Sequence, residues 1–124
     1  MHEITVLVEL VKMVETAAIE NDIHEIDTVV VQIGEMSSLV PRYMMEYFPH
    51  AAYGTLLEDS KLKIEMIPAN ALCHHCNKVF RIVKNKGLCP DCEANDWEIL
   101  SGMEFILKEI IIRENLVPNV RDSP

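Results

Sequence analysis

Two pairs of cysteines constrain this chain of 124 residues more than any other feature. Two residues separate the cysteines within each pair, Cys73–Cys76 and Cys89–Cys92. A C-x2-C turn brings two sulfurs to one side of a tight loop, and two such turns supply four thiolates in a tetrahedron, which suits Zn(II). Because sulfur fills every coordination position, no position remains for a reactive water. The spacing therefore predicts a structural zinc site in a small module over residues 70–102.

Other uses of the cysteines fit less well. Disulfides require an oxidising compartment, and no basic-then-apolar leader precedes the first acidic residue. A redox pair normally opens a helix after a strand, whereas Pro90 and its polar neighbours indicate a ribbon of turns. Iron remains an alternative metal for the four-cysteine site, because ligand type does not distinguish it from zinc. His74 and His75 are expected to be exposed, or else one of them replaces a sulfur or binds a second metal.

The net charge of −9 lies outside the cysteine segment, because residues 70–102 contain equal numbers of acidic and basic side chains. An acidic chain lacks the basic stripe that displaces counterions from nucleic acids, so no nucleic acid is expected as a partner. The acidic surface either aids solubility or attracts metal cations or a basic partner. No apolar run approaches the roughly 20 residues that span a bilayer, so no membrane is expected and the chain is predicted to be cytoplasmic.

Hydrophobic periodicity predicts two helices. The first covers residues 3–21. The second follows Ser37-Ser38, which are candidate N-caps, with Pro41 in its first turn. Pro49 would remove a helical hydrogen bond, so this helix is expected to kink or end near Phe48, with Gly54 as its firm stop.

Three segments rich in β-branched or alternating apolar residues predict strands at 28–33, 61–67 and 104–112. The expected fold class is α/β (α+β): a small three-stranded sheet covered by two helices, with an inserted zinc-ribbon-like module. The expected organisation is an α/β domain, a zinc-binding module and a flexible tail, over residues 1–69 plus 103–117, 70–102 and 118–124.

The first three residues, Met1-His2-Glu3, can form a chelate. The terminal amine, the deprotonated amide of His2 and its imidazole can hold one metal through adjacent rings, which favours Ni(II) or Cu(II). Glu3 adds a backbone nitrogen or a carboxylate. The bulk of His2 disfavours removal of Met1, so the amine is expected to remain. Taken alone, these three residues are only a weak indication of a metal site, because a histidine at position 2 is usually accidental.

Short motifs accompany the cysteine pairs in a fixed order. They are Met1-His2-Glu3, Ile33-Gly34-Glu35-Met36-Ser37, Gly54-Thr55-Leu56-Leu57-Glu58, and Leu100-Ser101-Gly102 followed by Glu104. Their order and spacing resemble the HypA/HybF family of hydrogenase nickel-incorporation proteins over nearly the whole chain. Pro49 departs from the family pattern, which has continuous helix there.

The resemblance implies a nickel metallochaperone and not an enzyme. Ni(II) would be a transient cargo of the α/β domain, bound through His2 with the Met1 amine and Glu3 as further ligands. Zn(II) would be structural, held by Cys73, Cys76, Cys89 and Cys92. The implied partners are a nickel-handling GTPase and the large subunit of a nickel–iron hydrogenase, while urease maturation is neither supported nor excluded.

Two other classes of function compete with a metallochaperone. One is a zinc-ribbon protein–protein interaction module without nickel function, and the other is a thiol–disulfide enzyme. Homo-oligomerisation also stays open, since a long last strand and an inserted module allow protomers to exchange elements.

Overall fold

The computed structural model of the chain describes residues 3–112, which form two helices and six strands in two sheets. In chain order these elements are α1 (Glu3–Glu20), β1 (Ile26–Gly34), α2 (Pro41–Ala52), β2 (Lys61–Ile67), β3 (Asn70–Cys73), β4 (Val79–Arg81), β5 (Trp97–Ser101) and β6 (Phe105–Ile112). The predicted α+β class, with two helices on a small sheet and an inserted cysteine module, is confirmed. Met1, His2 and the predicted tail at 118–124 lie outside the described residues.

The first sheet has the order β2-β1-β6, with β1 in the middle. β1 runs parallel to β2, to which α2 connects it, and antiparallel to β6. Val31 stands opposite Ile64 and Leu107 in the two neighbouring strands. These three side chains belong to a core that includes the buried faces of both helices, among them Leu7 and Met44.

The second helix begins differently from the prediction. Its N-cap is Val40, and no side chain among residues 3–112 caps it. Ser37 instead accepts a hydrogen bond from the backbone N–H of Leu39 at 3.1 Å, in a turn before the helix. The prediction of Ser37 or Ser38 as the cap is therefore wrong, because a serine hydroxyl stabilises a local turn as readily as a helix end. Pro41 occupies the first turn as predicted.

The second helix does not end near Phe48. It passes through Pro49 and ends at Ala52, before Gly54, so of the two alternatives predicted at Phe48, a kink or an end, the end is wrong. A proline inside a helix costs about 3 kcal/mol, because one backbone hydrogen bond is lost and the ring clashes with the carbonyl four residues earlier. Met44, Phe48 and Ala52 are all buried on one face of the helix. Tertiary packing of that face holds the helix together across the proline.

The cysteine segment forms the second sheet, which is antiparallel with the order β4-β3-β5. It has its own core of six buried residues, and none of them belongs to the core under α1 and α2. Two of the six are Cys73 and Cys89. Of the helices in the described part of the chain, neither is long and apolar enough to cross a bilayer.

The two sheets meet where β1 ends. The N–H of Gly34 donates to the carbonyl of Glu104 at 2.7 Å, and the N–H of Met36 donates to the carbonyl of Gly102 at 2.8 Å. A Cβ on Gly34 would overlap the Gly102 carbonyl, so only glycine lets the two backbones approach this closely. The junction therefore fixes where the cysteine module leaves the first sheet.

Candidate metal centre

The two cysteine pairs lie in turns of the same backbone geometry. The carbonyl of Cys73 accepts from the N–H of Asn77 at 2.9 Å, and that of Cys89 accepts from the N–H of Glu93 at 2.7 Å. In each turn the first cysteine also donates its N–H to the carbonyl five residues later, at 2.8 and 3.0 Å. Asn77 and Glu93 both have a left-handed backbone, with φ of 63° and 61°. The chain thus builds one metal-binding turn twice.

The two turns bring their sulfurs together. All four Sγ atoms lie within 4.8 Å of one another. Sγ of Cys73 is 3.5 Å from Sγ of Cys92, and Sγ of Cys76 is 3.5 Å from Sγ of Cys89. Four thiolates at about 2.3 Å from a zinc ion stand roughly 3.8 Å apart. The donor type, number and spacing fit a structural Zn(II) ion, which when bound ties the two turns together.

The environment of the thiols differs between the sides of the cluster. Cys73 and Cys89 are fully buried, and Cys76 and Cys92 are half-buried. The backbone N–H of Cys76 lowers the pKa of the Cys73 thiol to about 7. Desolvation raises the pKa of the Cys76 thiol to about 12. Four adjacent thiolates repel one another, so a divalent cation is what allows all of them to ionise together at neutral pH.

An aromatic pair supports the loop between the two turns. The indole Nε1–H of Trp97 in β5 donates to the carbonyl of Gly87 at 2.8 Å. The ring of Phe80 in β4 meets Trp97 edge to face, with centroids 6.3 Å apart. These contacts hold the second cysteine turn against the sheet that carries the first.

The two histidines between the first pair of cysteines are not part of the sulfur cluster. Nδ1 of His74 is 3.1 Å from a carboxylate oxygen of Asp96, and Nε2 is 2.8 Å from one of Glu98. Hydrogen bonds to the carboxylates of Glu98 first and Asp96 second raise the pKa of His74. Both ring nitrogens are thus occupied in linking the first turn to β5. His75 is exposed to solvent.

Glu3 is the one residue of the predicted amino-terminal chelate that the structure describes. It opens α1, its side chain is buried, and its Oε2 accepts a hydrogen bond from the N–H of Val40 at 2.9 Å. The carboxylate therefore holds the start of α2 against the start of α1. Met1 and His2 lie outside the described residues.

Sequence analysis missed two carboxylates at the junction of the sheets. Oε1 of Glu35 accepts from the N–H of Ala69 at 3.0 Å, and Oε1 of Glu104 accepts from the N–H of Gly102 at 2.7 Å. Both glutamates belong to motifs that carried the family resemblance, but a motif does not say which backbone group its carboxylate contacts. Their role became visible only in three dimensions.

Comparison with known proteins agrees with this arrangement. The family model described as "Hydrogenase/urease nickel incorporation, metallochaperone, hypA" matches residues 1–112. The chain belongs to the HypA family. A protein named hydrogenase maturation factor HypA from Chlorobium limicola is 33% identical over 92% of this chain and 98% of its own length. One of the same name from Moorella thermoacetica is 34% identical, over 86% and 95%.

Solved structures of HypA proteins show the same fold. The solution structure of the Ni metallochaperone HypA from Helicobacter pylori has a TM-score of 0.64 and 29% identity, over 90% of this chain and 97% of that one. A second solution structure of a HypA protein has a TM-score of 0.67 and 28% identity. The HypA family binds nickel and serves hydrogenase maturation, and it is a family of metallochaperones, not of catalysts.

Proposed function

We propose that this HypA-family chain binds Ni(II) at its amino terminus and delivers it during maturation of nickel–iron hydrogenase. The observation that carries the proposal is the family match, which begins at residue 1 and so includes Met1-His2-Glu3. The position of this tripeptide at the start of α1 supports it further, because a helix presents its first amides to a ligand rather than to its own carbonyls.

The proposed donors are nitrogens. They are the amine of Met1, the deprotonated amide and imidazole of His2, and the backbone nitrogen of Glu3, a set suited to Ni(II). The Glu3 carboxylate is assigned a positioning role, since it is buried and accepts from the N–H of Val40. An amide in the first helical turn is not needed for helical hydrogen bonds, so it can lose its proton without breaking α1.

A cargo site must release its metal as well as bind it. Protons compete with nickel for an amide nitrogen and an imidazole, so the affinity for nickel falls as the pH falls. A partner can take over the ion by replacing these donors one at a time. The partners proposed here are a nickel-handling GTPase and the hydrogenase large subunit, in line with relatives named hydrogenase maturation factors.

The four cysteines are proposed as the ligands of a resident zinc ion, and residues 70–102 as its module. The remaining strands and helices, at 1–69 plus 103–117, are proposed as the nickel-binding unit. We place the work of the protein in the cytoplasm, where thiols stay reduced and four cysteines can hold a metal.

Nickel titration of the zinc-loaded chain by calorimetry tests the proposal. The chain with an unmodified Met1 amine should bind one Ni(II) ion, and acetylation of that amine should weaken binding about 100-fold, because the amine becomes an amide. His2→Ala should do the same. Glu3→Gln keeps an oxygen for the N–H of Val40, so it should change the nickel affinity by less than about threefold.

His24→Ala is the matched control, because His24 is an exposed histidine that contacts only Asp22 among the ion pairs of the described chain. It should leave nickel binding unchanged. Zinc content should stay at one ion in every variant. Equal nickel affinity with and without the acetyl group would refute the site, and a chain that holds zinc but no nickel would favour an interaction module.

A further inference from the structure

β2 is an edge strand. In the order β2-β1-β6, its outer side pairs with no strand of residues 3–112. An unpaired row of N–H and C=O groups is a template for another strand. Beside this edge lies a groove of about 540 Å³ between β2 and the first turns of α2, with Met45 and Met66 in its lining, each 49% exposed.

The edge carries an unusual charge pattern for so acidic a chain. Lys61 and Lys63 are exposed, and neither forms an ion pair within the described part of the molecule. Lysines on an edge normally discourage pairing, because like charges would come to face each other. Here Glu65 follows Lys63 by two residues and so lies on the same face of the strand.

We propose that two copies of this chain associate by pairing their β2 strands antiparallel about Ile64. The first sheets of the two copies then form one sheet of six strands. In this register Lys63 of each copy faces its partner's Glu65 on the open face of the sheet. Leu62 faces the partner's Met66 on the core face, next to the groove. The contact is self-complementary, as a two-fold interface requires.

Other registers are worse. A shift by one residue would pair a side chain that faces the core with one that faces solvent. The apolar side chains of the two copies would then no longer meet on the buried face of the sheet. Centring the pair on Lys63 places Lys63 against its own copy, and centring it on Glu65 places two carboxylates together. Only the register about Ile64 brings opposite charges together with no like pair.

Glu65 already has a fixed position on the open face of the sheet. Its Oε1 accepts from Nζ of Lys108 at 2.9 Å and from the side-chain amide of Gln32 at 3.3 Å. These bonds direct Oε1 toward β1 and β6, and Oε2 is the oxygen that would accept from the partner's Lys63. A fixed acceptor loses little side-chain freedom when the second copy binds.

Sedimentation velocity over a range of concentrations tests the proposal with the full zinc-loaded chain. The wild type should show a monomer–dimer equilibrium. Lys63→Glu creates two Glu–Glu contacts per dimer, and Glu65→Lys creates two Lys–Lys contacts, so each should weaken the dimer about tenfold or more. An equal mixture of the two variants should dimerise again, because both contacts then pair a lysine with a glutamate.

Two control variants separate this interface from general effects. Lys84→Glu makes the same charge change on the exposed surface of the cysteine module and should leave dimerisation unchanged. Lys108→Ala removes the ion pair of Glu65 without changing the edge strand. It should change the dissociation constant of the dimer by less than about threefold. Circular dichroism and zinc content verify folding of each chain.

Two results would overturn the proposal. A wild type that stays monomeric at every concentration would mean that Lys61 and Lys63 only prevent pairing of the edge strand with another chain. Variants that dimerise like the wild type, or a mixture that stays monomeric, would place the contact elsewhere.

Discussion

Four glutamates among residues 3–112 accept hydrogen bonds from backbone N–H groups, three of them from distant segments. The pairs are Glu3 with Val40, Glu15 with Leu56, Glu35 with Ala69 and Glu104 with Gly102. A charged acceptor makes a stronger hydrogen bond than a neutral one. Part of the negative charge therefore serves to fasten loops and helix ends, a use that composition did not suggest because three of the partners lie 34 to 41 residues away.

Glu93 occupies a left-handed position with φ of 61°. This backbone conformation costs a residue with a Cβ about 1–2 kcal/mol, and less for asparagine. Asn77 holds the matching position in the first turn, which makes Glu93→Asn the natural repair. We expect the variant to raise the free energy of unfolding of the zinc-loaded protein by about 0.5–1 kcal/mol. Denaturant titration measures this.

The reverse change, Asn77→Glu, is the control and should destabilise the protein by a similar amount. If Glu93→Asn left stability unchanged or lowered it, the Glu93 side chain would have a favourable contact that outweighs the backbone cost.

The ion pair of Glu65 and Lys108 predicts a pH dependence of stability. The hydrogen bond from Lys108, followed by that from Gln32, lowers the pKa of Glu65 below its ordinary 4.5. A carboxyl with a lowered folded-state pKa stabilises the fold above its ordinary pKa, and this stabilisation is lost as the pH falls through the folded-state value. Lys108→Ala should therefore reduce the drop in Tm between about pH 6 and about pH 3.

The effect should be small, because both side chains are partly exposed. Thermal unfolding at each pH, at low protein concentration, measures it. Lys12→Ala, which affects only the exposed pair with Glu9, is the control and should keep the wild-type pH dependence. An unchanged drop in Lys108→Ala would show that the pair contributes nothing.

At the scale of elements, the accuracy with which the sequence predicted each helix or strand depended on the length and periodicity of the segment. The first helix and the strands at 28–33, 61–67 and 104–112 were predicted within a few residues, because each has a sustained apolar pattern. The short strands β3, β4 and β5 were not predicted individually, since runs of three to five residues hold too little pattern. The cap of α2 and its continuation through Pro49 were missed because packing, not local propensity, decides them.

Gly34 connects the two sheets, so its replacement should be costly. A Cβ there would overlap the backbone carbonyl of Gly102, and backbone cannot move aside as a flexible side chain does. We expect Gly34→Ala to lower the free energy of unfolding by about 3 kcal/mol or more. Chemical denaturation followed by circular dichroism measures this.

Gly54→Ala is the matched control. Gly54 has φ of +78°, and a Cβ there meets no atom within 4 Å, so only the backbone cost of about 1 kcal/mol is expected. Equal effects at the two positions would mean that the junction yields to a methyl group and is less tightly packed than its hydrogen bonds indicate.

At the scale of the whole molecule, the two cores are stabilised by different interactions. The core under α1 and α2 is apolar, whereas the core of the cysteine sheet includes two of the four sulfur donors among its six buried residues. Spacing alone was enough to predict the sulfur cluster, because all its ligands lie within 20 residues. The sequence did not predict the contacts of His74 or the junction glutamates, since these depend on how β5 pairs with β3 and on how the two sheets meet.

Removal of zinc should therefore unfold one core and spare the other. The single tryptophan, Trp97, lies in the cysteine sheet, while both helices lie on the first sheet. Addition of a strong chelator should change the fluorescence of Trp97 and leave most of the helical circular dichroism, because metal binding supplies folding free energy only to the module.

Re-addition of one equivalent of Zn(II) should restore the fluorescence. Loss of both signals together would show that the two cores unfold as one unit. No change in fluorescence after complete removal of zinc would show that the module folds without metal.

The placement of the cysteine segment between β2 and β6 has a consequence for biosynthesis. A ribosome releases β1 and β2 first, and the second edge of β1 has no partner until β6 emerges behind the last cysteine. By then all four thiols have left the exit tunnel. The cysteine module can therefore capture its ion before the main sheet is complete, so metal binding precedes the pairing of β6 with β1.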